Sequence, residues 1–267
     1  MQIENNRVWK PDYFLHPIKQ RVILLIKLNN MKIAIIGYGK MGKTIEQLAI
    51  EKGYEIILKV GLKNSNTWTN EQLKKADVAI EFTRPESAIE NITRCFECDV
   101  PVISGTTGWV ERMEEVKNSC KKLDGGFFYA SNFSVGVNLF FKLNKILAKM
   151  MEVYDTYDIS LKEIHHTQKL DAPSGTAITL AEGLLEQISR KSKWVKETAQ
   201  QENELPIFSK RIENVPGTHA INYDSDIDSI EIKHTAHSRL GFAKGALMAA
   251  EWMNNRKGIY GMEDLLK

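Results

Sequence analysis

The apolar positions of the chain follow two rhythms, and the first begins at Met31. "KIAIIG" is a short unbroken apolar run, and "KTIEQLAIEKG" then repeats apolar residues at helical spacing until Gly53 closes it. "YEIILKV" and "ADVAIEFT" predict further strands and "ESAIENITRCFE" a helix. "VPVISGTTG" reads as a strand and loop, "VERMEEVKNSCKKL" as a helix, and "GGFFYASNFS" as a strand and loop. Buried strands alternating with helices of about 10–15 residues predict parallel βαβ units in a doubly wound sheet.

The second rhythm starts with "VGVNLFFKLNKILAKMME", a long amphipathic helix. In "YDISLKEIHH", Tyr157, Ile159 and Leu161 alternate with Asp158, Ser160 and Lys162, as in a strand with one wet face. "TAITLAEGLLEQISRK" predicts a helix. "FSKRIENVPGTHAINYDSDIDSIEIKHTAH" supplies several strands joined by polar turns, and "GFAKGALMAAEWMNNR" a last helix. Strands that follow one another without helices predict an open mixed sheet. The expected fold is therefore α/β, a Rossmann-like doubly wound parallel sheet plus a second α+β domain. Residues 1–30, with Pro11 and Pro17 and no sustained period, are expected to be an appendage outside that fold.

Composition narrows the function. With 43% apolar and 26% charged residues the chain reads as an ordinary globular protein, and its net charge of +2 gives no reason to expect nucleic acid. "VILLI", at residues 22–26, is far too short to span a membrane. Three cysteines are too few and odd in number for a disulfide framework, which points to the reducing cytoplasm. Cys95 and Cys98 form a C-x-x-C without a second ligand pair, so they read as inert thiols on a helix, and no metal is expected.

Gly37, Gly39 and Gly42 in "GYGKMG" match G-x-G-x-x-G between a strand and a helix, the context of a dinucleotide site. The first glycine permits the turn, the second admits a pyrophosphate, and the third lets helix and strand pack closely. The acid that usually holds the ribose 2′-hydroxyl about 20 residues on is missing. Lys59 and Lys63 stand in that region, either as solvated lysines or as partners of a 2′-phosphate. Two further loops, Ser104–Trp109 and Ala130–Asn138, follow strands and fall where a parallel sheet lines its ligand crevice.

"EIHHTQKLDAPSGTA", Glu163–Ala177, lies between a strand and a helix. Ser174 suits an N-cap, while Gly175 and Thr176 would offer backbone N–H groups and a hydroxyl to a carboxylate. Lys169 adds a positive charge, and either His165 or His166 could pass a proton. Each piece alone has an ordinary structural reading; their coincidence behind a nucleotide site does not.

This stretch, with "EFTRPE", "SGTTG", "ASNFSVGVN" and "HSRLGFAKGAL" in order, resembles the dihydrodipicolinate reductase family from Met31 to the C-terminus. The resemblance implies NADH- or NADPH-dependent reduction of a small cyclic dicarboxylate in lysine and diaminopimelate synthesis, by a cytoplasmic homotetramer. It implies that His165 is the acid–base residue with Lys169 its cationic partner, and that His166, Lys169, Ser174, Gly175 and Thr176 grip carboxylates. Around the cofactor it sets Gly37, Tyr38, Gly39, Lys40, Met41 and Gly42; Gly105, Thr106 and Thr107; and Ala130, Ser131, Asn132 and Phe133. Arg239 and Phe242 fall where the chain crosses back, so residues 31–132 completed by 240–267 would bind dinucleotide and 133–239 would bind substrate and self-associate.

The glycine loop departs from the family's frequent G-x-x-G-[RK]-M-G by one residue. Two rival readings remain. Another reductase of the aspartate pathway, such as a semialdehyde dehydrogenase, would need a nucleophilic cysteine, and none follows Cys120. A non-catalytic dinucleotide sensor would have no use for the His-Lys-helix clamp.

Overall fold

The computed structural model describes residues 31–267, so the expected appendage at 1–30 lies outside the described residues. Six strands form one parallel sheet: Lys32–Ile36 (β1), Glu55–Val60 (β2), Val78–Glu81 (β3), Val102–Ser104 (β4), Gly126–Tyr129 (β5) and Gly258–Tyr260 (β11). Their order is β11-β5-β4-β3-β1-β2. All of β1 after Lys32 is buried, because helices cover both faces. Ile33 and Ile35 point to Lys40–Glu51 (α1) and Leu240–Met253 (α7), where they meet Ile45, Ala246 and Met253. Ala34 and Ile36 point the other way, toward Ile92 of Pro85–Glu97 (α3) and Val116 of Met113–Lys122 (α4). The period of two thus divides one strand between two cores.

The second sheet is mixed, ordered β10-β9-β6-β8-β7. Its strands are Asp158–His165 (β6), Lys193–Lys196 (β7), Glu204–Arg211 (β8), Gly217–Asp224 (β9) and Ser229–Ala236 (β10). β6 runs parallel to β8 and antiparallel to β9. Helices Val135–Met151 (α5) and Gly175–Leu185 (α6) cover one face, where Ile159, Leu161, Ile207 and Tyr223 pack against Phe140, Ala148 and Leu180. On β6 the inward phase does not stop at Leu161: Glu163 and His165 are buried on the same face. The register sets Glu163 opposite Ser209 on one side and His219 on the other, and His165 opposite Arg211.

Four short elements escaped the periodicity: β7, β11 and the four-residue helices Asn70–Leu73 (α2) and Met262–Leu265 (α8), each too brief to show a repeat. The helix expected to run on to Lys191 ends at Leu185. Tertiary bonds draw the remainder into a turn. Ser189 donates its backbone N–H and its hydroxyl to Glu152, and the Arg190 guanidinium donates to the carbonyls of Glu152 and Tyr157. Cys95 lies inside α3, Cys98 just beyond it and Cys120 in α4; all three thiols are free and buried, and burial raises their pKa values.

The two crossings between the sheets lie side by side. A methyl group added to Gly245 of α7 would sit 1.8 Å from the Phe133 carbonyl oxygen, and one added to Gly241 would sit 3.5 Å from Ser134 Oγ. Glycine at 245 is what lets the returning helix touch the outgoing connection at Phe133. Gly245→Ala should therefore destabilise the fold by about 1–3 kcal/mol or more, the scale of overpacking, as measured by urea unfolding. Gly53→Ala is not an equivalent control, since its φ of +82° is itself strained for a side chain; Gly39→Ala, with nothing within 4 Å, is.

Candidate functional site

The loops at the carboxyl ends of β1, β4 and β5 face the β6–α6 connection across a cleft of about 790 Å³. One wall carries Lys40, Met41, Thr107, Ser131 and Asn132; the other carries His165, His166, Lys169, Ser174, Gly175 and Thr176. Arg239 and Phe242, at the second crossing, close one side. A further hollow of about 410 Å³ continues over the glycine loop past Gly37, Gly39, Arg84, Gly105 and Thr106.

The glycine loop divides its labour as the motif's physics requires. Gly37 has φ +106°, and a Cβ there would meet the Phe82 carbonyl oxygen at 1.9 Å; at Gly42 it would meet the Gly37 carbonyl oxygen at 2.4 Å. Gly39, the N-cap of α1, has nothing within 4 Å. Two glycines serve packing, and the middle one leaves open space at a helix N-terminus, the shape a pyrophosphate needs. The residues present fit a dinucleotide.

A buried carboxylate holds the surrounding loops. Glu81, at the end of β3, has no exposed surface and accepts from Ser104 Oγ at 2.6 Å, Thr106 Oγ1 at 2.8 Å and the Thr83 N–H at 3.0 Å. Burial raises its pKa although these donors oppose the rise. Glu81 thereby ties the loop after β3 to the loop after β4.

A second buried carboxylate organises the facing wall. Glu163 has no exposed surface; it accepts from the Ser174 N–H at 3.1 Å, Ser209 Oγ at 2.8 Å and Arg211 Nη1 at 3.5 Å. His165 Nδ1 lies 3.3 Å from Glu163 Oε2, too oblique for a full hydrogen bond. Burial works to raise the carboxyl's pKa, but the adjoining His165 ring and bonds from Ser174 and Ser209 outweigh it and hold Glu163 well below the usual carboxylate range. His219 Nε2 lies 3.2 Å from Ser174 Oγ, which also accepts the Ala177 N–H as the N-cap of α6. The hydroxyl can donate to a neutral His219 ring, and burial followed by the neighbouring His165 lowers the His219 pKa to about 3.

Lys169 pairs with Asp171 at 2.7 Å, within a connection that also contains the cis Ala172–Pro173 bond. Arg211 spans that connection from outside, donating Nη2 to the Asp171 carbonyl at 2.5 Å and Nε to the Lys169 carbonyl at 3.3 Å. His166 Nε2 lies 3.3 Å from Arg239 Nη2, and Asn132 Nδ2 reaches Thr176 Oγ1 across the cleft at 3.4 Å. Glu163, His165 and His219 approach one another as three metal ligands would, but the oxygens of Glu163 already accept from Ser174, Ser209 and Arg211.

Not every sequence-nominated residue faces the cleft. Phe133 is buried against Phe82 and Phe128, so its ring is core, and Ala130 and Gly42 are likewise buried. Tyr38 directs its hydroxyl to Glu46, while Lys59 lies 5.3 Å from its ring centroid and 3.1 Å from the same carboxylate. Lys59 is thus already paired, whereas Lys63 is exposed in the turn after β2. Sequence reasoning missed Glu163, His219, Ser209 and Arg211 as site residues. The inward phase of β6 was the available signal for Glu163; the other three depend on register.

Two family models match end to end: "Dihydrodipicolinate reductase, N-terminus" over residues 31–133 and "Dihydrodipicolinate reductase, C-terminus" over 136–266. The chain is 50% identical to a 4-hydroxy-tetrahydrodipicolinate reductase of Christiangramia forsetii, over 88% of this chain and 98% of that one. It is 32% identical to the protein of the same name from Neisseria meningitidis, over 91% and 92%. Among solved structures, a dipicolinate-bound dihydrodipicolinate reductase from Paenisporosarcina sp. TG-14 superposes with a TM-score of 0.71 at 24% identity, over 88% of this chain and 99% of that one, a likeness of fold.

The two buried groups predict acid sensitivity. An unfolded His219 takes up a proton near pH 6.5, while the folded one does so only near pH 3. Its contribution is complete above about pH 6.5 and is lost as pH falls through that window, on the order of a few kcal/mol. Glu163, whose pKa is lowered, adds to the loss below the ordinary carboxylate range. Urea unfolding from pH 7 to pH 4 should show stability declining, and His219→Gln should flatten the upper part of that decline.

Proposed function

The chain belongs to the dihydrodipicolinate reductase family, and on that premise we propose that its cleft holds 4-hydroxy-tetrahydrodipicolinate against a reduced nicotinamide dinucleotide. The family is one of NAD(P)H-dependent oxidoreductases of lysine and diaminopimelate synthesis. The observation that carries the residue-level reading is one cavity lined from one side by Lys40, Met41 and Thr107 and from the other by His165, Lys169 and the N-terminus of α6.

Once water has left the 4-hydroxy compound, the ring is an α,β-unsaturated imine with two carboxylates. The nicotinamide, when bound, supplies a hydride to C4. The N-terminus of α6 at Gly175 and Thr176, with the Lys169 ammonium, holds a carboxylate and neutralises charge that builds on the conjugated nitrogen. Asp171 occupies the Lys169 ammonium in the free protein, so substrate binding exchanges one carboxylate partner for another. His165 gives the proton that completes the reduction. His166, beside Arg239, closes the pocket around the dicarboxylate.

We assign dinucleotide binding to residues 31–132 with 240–267, and substrate binding and self-association to 133–239, with 1–30 outside both. A homotetramer is supported by apolar side chains that α5 leaves exposed at Leu139, Leu143, Ile146 and Met150. Among the described residues no helix is long and apolar enough to cross a membrane, and three free thiols favour the cytoplasm.

His165→Ala and Lys169→Ala should each lower turnover by about 100-fold or more, with NADH affinity nearly unchanged because the glycine loop lies on the opposite wall. Lys169→Ala should also raise KM, since its ammonium meets the carboxylate in ground state and transition state alike. Near-normal turnover in His165→Ala with loss in His166→Ala would exchange the roles of the two histidines.

Cofactor choice follows from the end of β2, where Gly61 and no acid follows Val60. NADPH should be used at least comparably to NADH in parallel steady-state assays. Lys63→Glu should weaken NADPH more than NADH; equal effects would remove Lys63 from the 2′-phosphate site.

A further inference from the structure

We propose that Glu163 is the positioning residue of this site: its carboxylate fixes the proton of the His165 ring on Nδ1 and locks the two anion-binding elements to the same point. The proposal rests on the reading of His165 as the proton donor. Its warrant is the convergence of five groups from four segments on one side chain with no exposed surface. From β6 itself comes His165 Nδ1 at 3.3 Å, and from β8 come Ser209 Oγ at 2.8 Å and Arg211 Nη1 at 3.5 Å. The Ser174 N–H, first of the α6 turn, approaches at 3.1 Å, and His219 Nε2 of β9 at 3.7 Å.

Two consequences follow from this geometry. An acceptor-only carboxylate beside Nδ1 favours the tautomer that carries its proton there. The opposite nitrogen, Nε2, is then the one that gains and gives a proton at the cleft. Gly217 makes room for that edge of the ring: a Cβ there would lie 3.2 Å from His165 Nε2. The negative charge also stabilises the imidazolium that exists before proton transfer, as an oriented carboxylate does for a general base.

The second consequence concerns the clamp. Ser174 gives its N–H to Glu163, so the carboxylate sets where the N-terminus of α6 points. Arg211 joins that carboxylate to the Lys169 and Asp171 carbonyls, so the backbone that carries the ammonium is indexed to the same atom pair. Acid, cation and helix N-terminus share one reference.

Every charged or titratable neighbour of His165 enters the pH argument. Glu163 lies on its own strand, Arg211 on β8 and His219 on β9, with His234 of β10 acting on His219; His166, Lys169 and Asp171 lie on the connection. Of these, Glu163 is the buried anion nearest the ring.

The test uses the full chain and 4-hydroxy-tetrahydrodipicolinate made in the assay from pyruvate and aspartate semialdehyde. Glu163→Gln should lower kcat at least about 10-fold and move the alkaline limb of the kcat/KM profile down by about one pH unit, with NADH affinity unchanged. Glu163→Asp, which keeps the charge, should restore the limb in part. The double variant Glu163→Gln/His165→Ala should lose less than the product of the two single losses, because part of what Glu163 does is done through His165. A limb that stays in place in Glu163→Gln, or a double variant that loses the full product of the singles, would overturn the proposal while leaving His165 its role. Normal turnover in His165→Ala alone would instead sink the reading beneath it. Nitrogen-15 spectra of histidine in the unaltered protein need no variant to fold: the neutral His165 ring should carry its proton on Nδ1, and a proton on Nε2 would equally overturn the proposal.

Discussion

The Glu163 carboxylate is the constraint around which the substrate wall is built. A charge without access to water is costly unless its oxygens are satisfied, and removing one partner strands the rest. The sequence meets that demand with residues distant along the chain, Ser174, Ser209, Arg211 and His219, which meet only if β6, β8 and β9 hold one register. A slip by one residue would turn Glu163 and His165 to the open face together. The fold and the chemistry of this wall are therefore specified by the same bonds.

Glu81 performs the corresponding task for the nucleotide wall, with a different charge balance. Its partners are three hydroxyls and an N–H, none of them cationic, and burial raises its pKa. Glu163 has Arg211 beside it and is held ionised. The substrate half thus keeps a fixed anion behind its histidine, and the cationic Lys169 and the α6 N-terminus face the cleft in front. A net charge of only +2 is enough for an anion site because the positive groups are gathered locally.

Much of this was legible in the sequence, for identifiable reasons. Helices and strands long enough to show a period were found, as were the glycine loop and Ser174, because their roles depend on neighbours within a few residues. The β6 alternation was read as far as Leu161, where hydrophobicity ends, although the geometric phase continues through Glu163 and His165. Ser209, Arg211 and His219 were invisible because nothing local distinguishes a residue that matters only across a strand pair. Phe133 was nominated through its motif neighbours, yet its ring packs in the core against Phe82 and Phe128. The Lys59–Glu46 pair is likewise a meeting of β2 with α1 that no local pattern announces.

The paired crossings at Phe133–Ser134 and Arg239–Gly241 bear on how the cleft can change its width. Because Gly245 holds the returning helix against the Phe133 carbonyl, the two connecting segments act as adjacent pins through one axle. Sliding of one sheet past the other would have to shear both pins apart, whereas rotation about their common line leaves the contact whole. Closure of the glycine loop on the β6–α6 connection by such a rotation would leave this contact intact, and Arg239 and Phe242, which line the cleft beside it, would move less than the far rims.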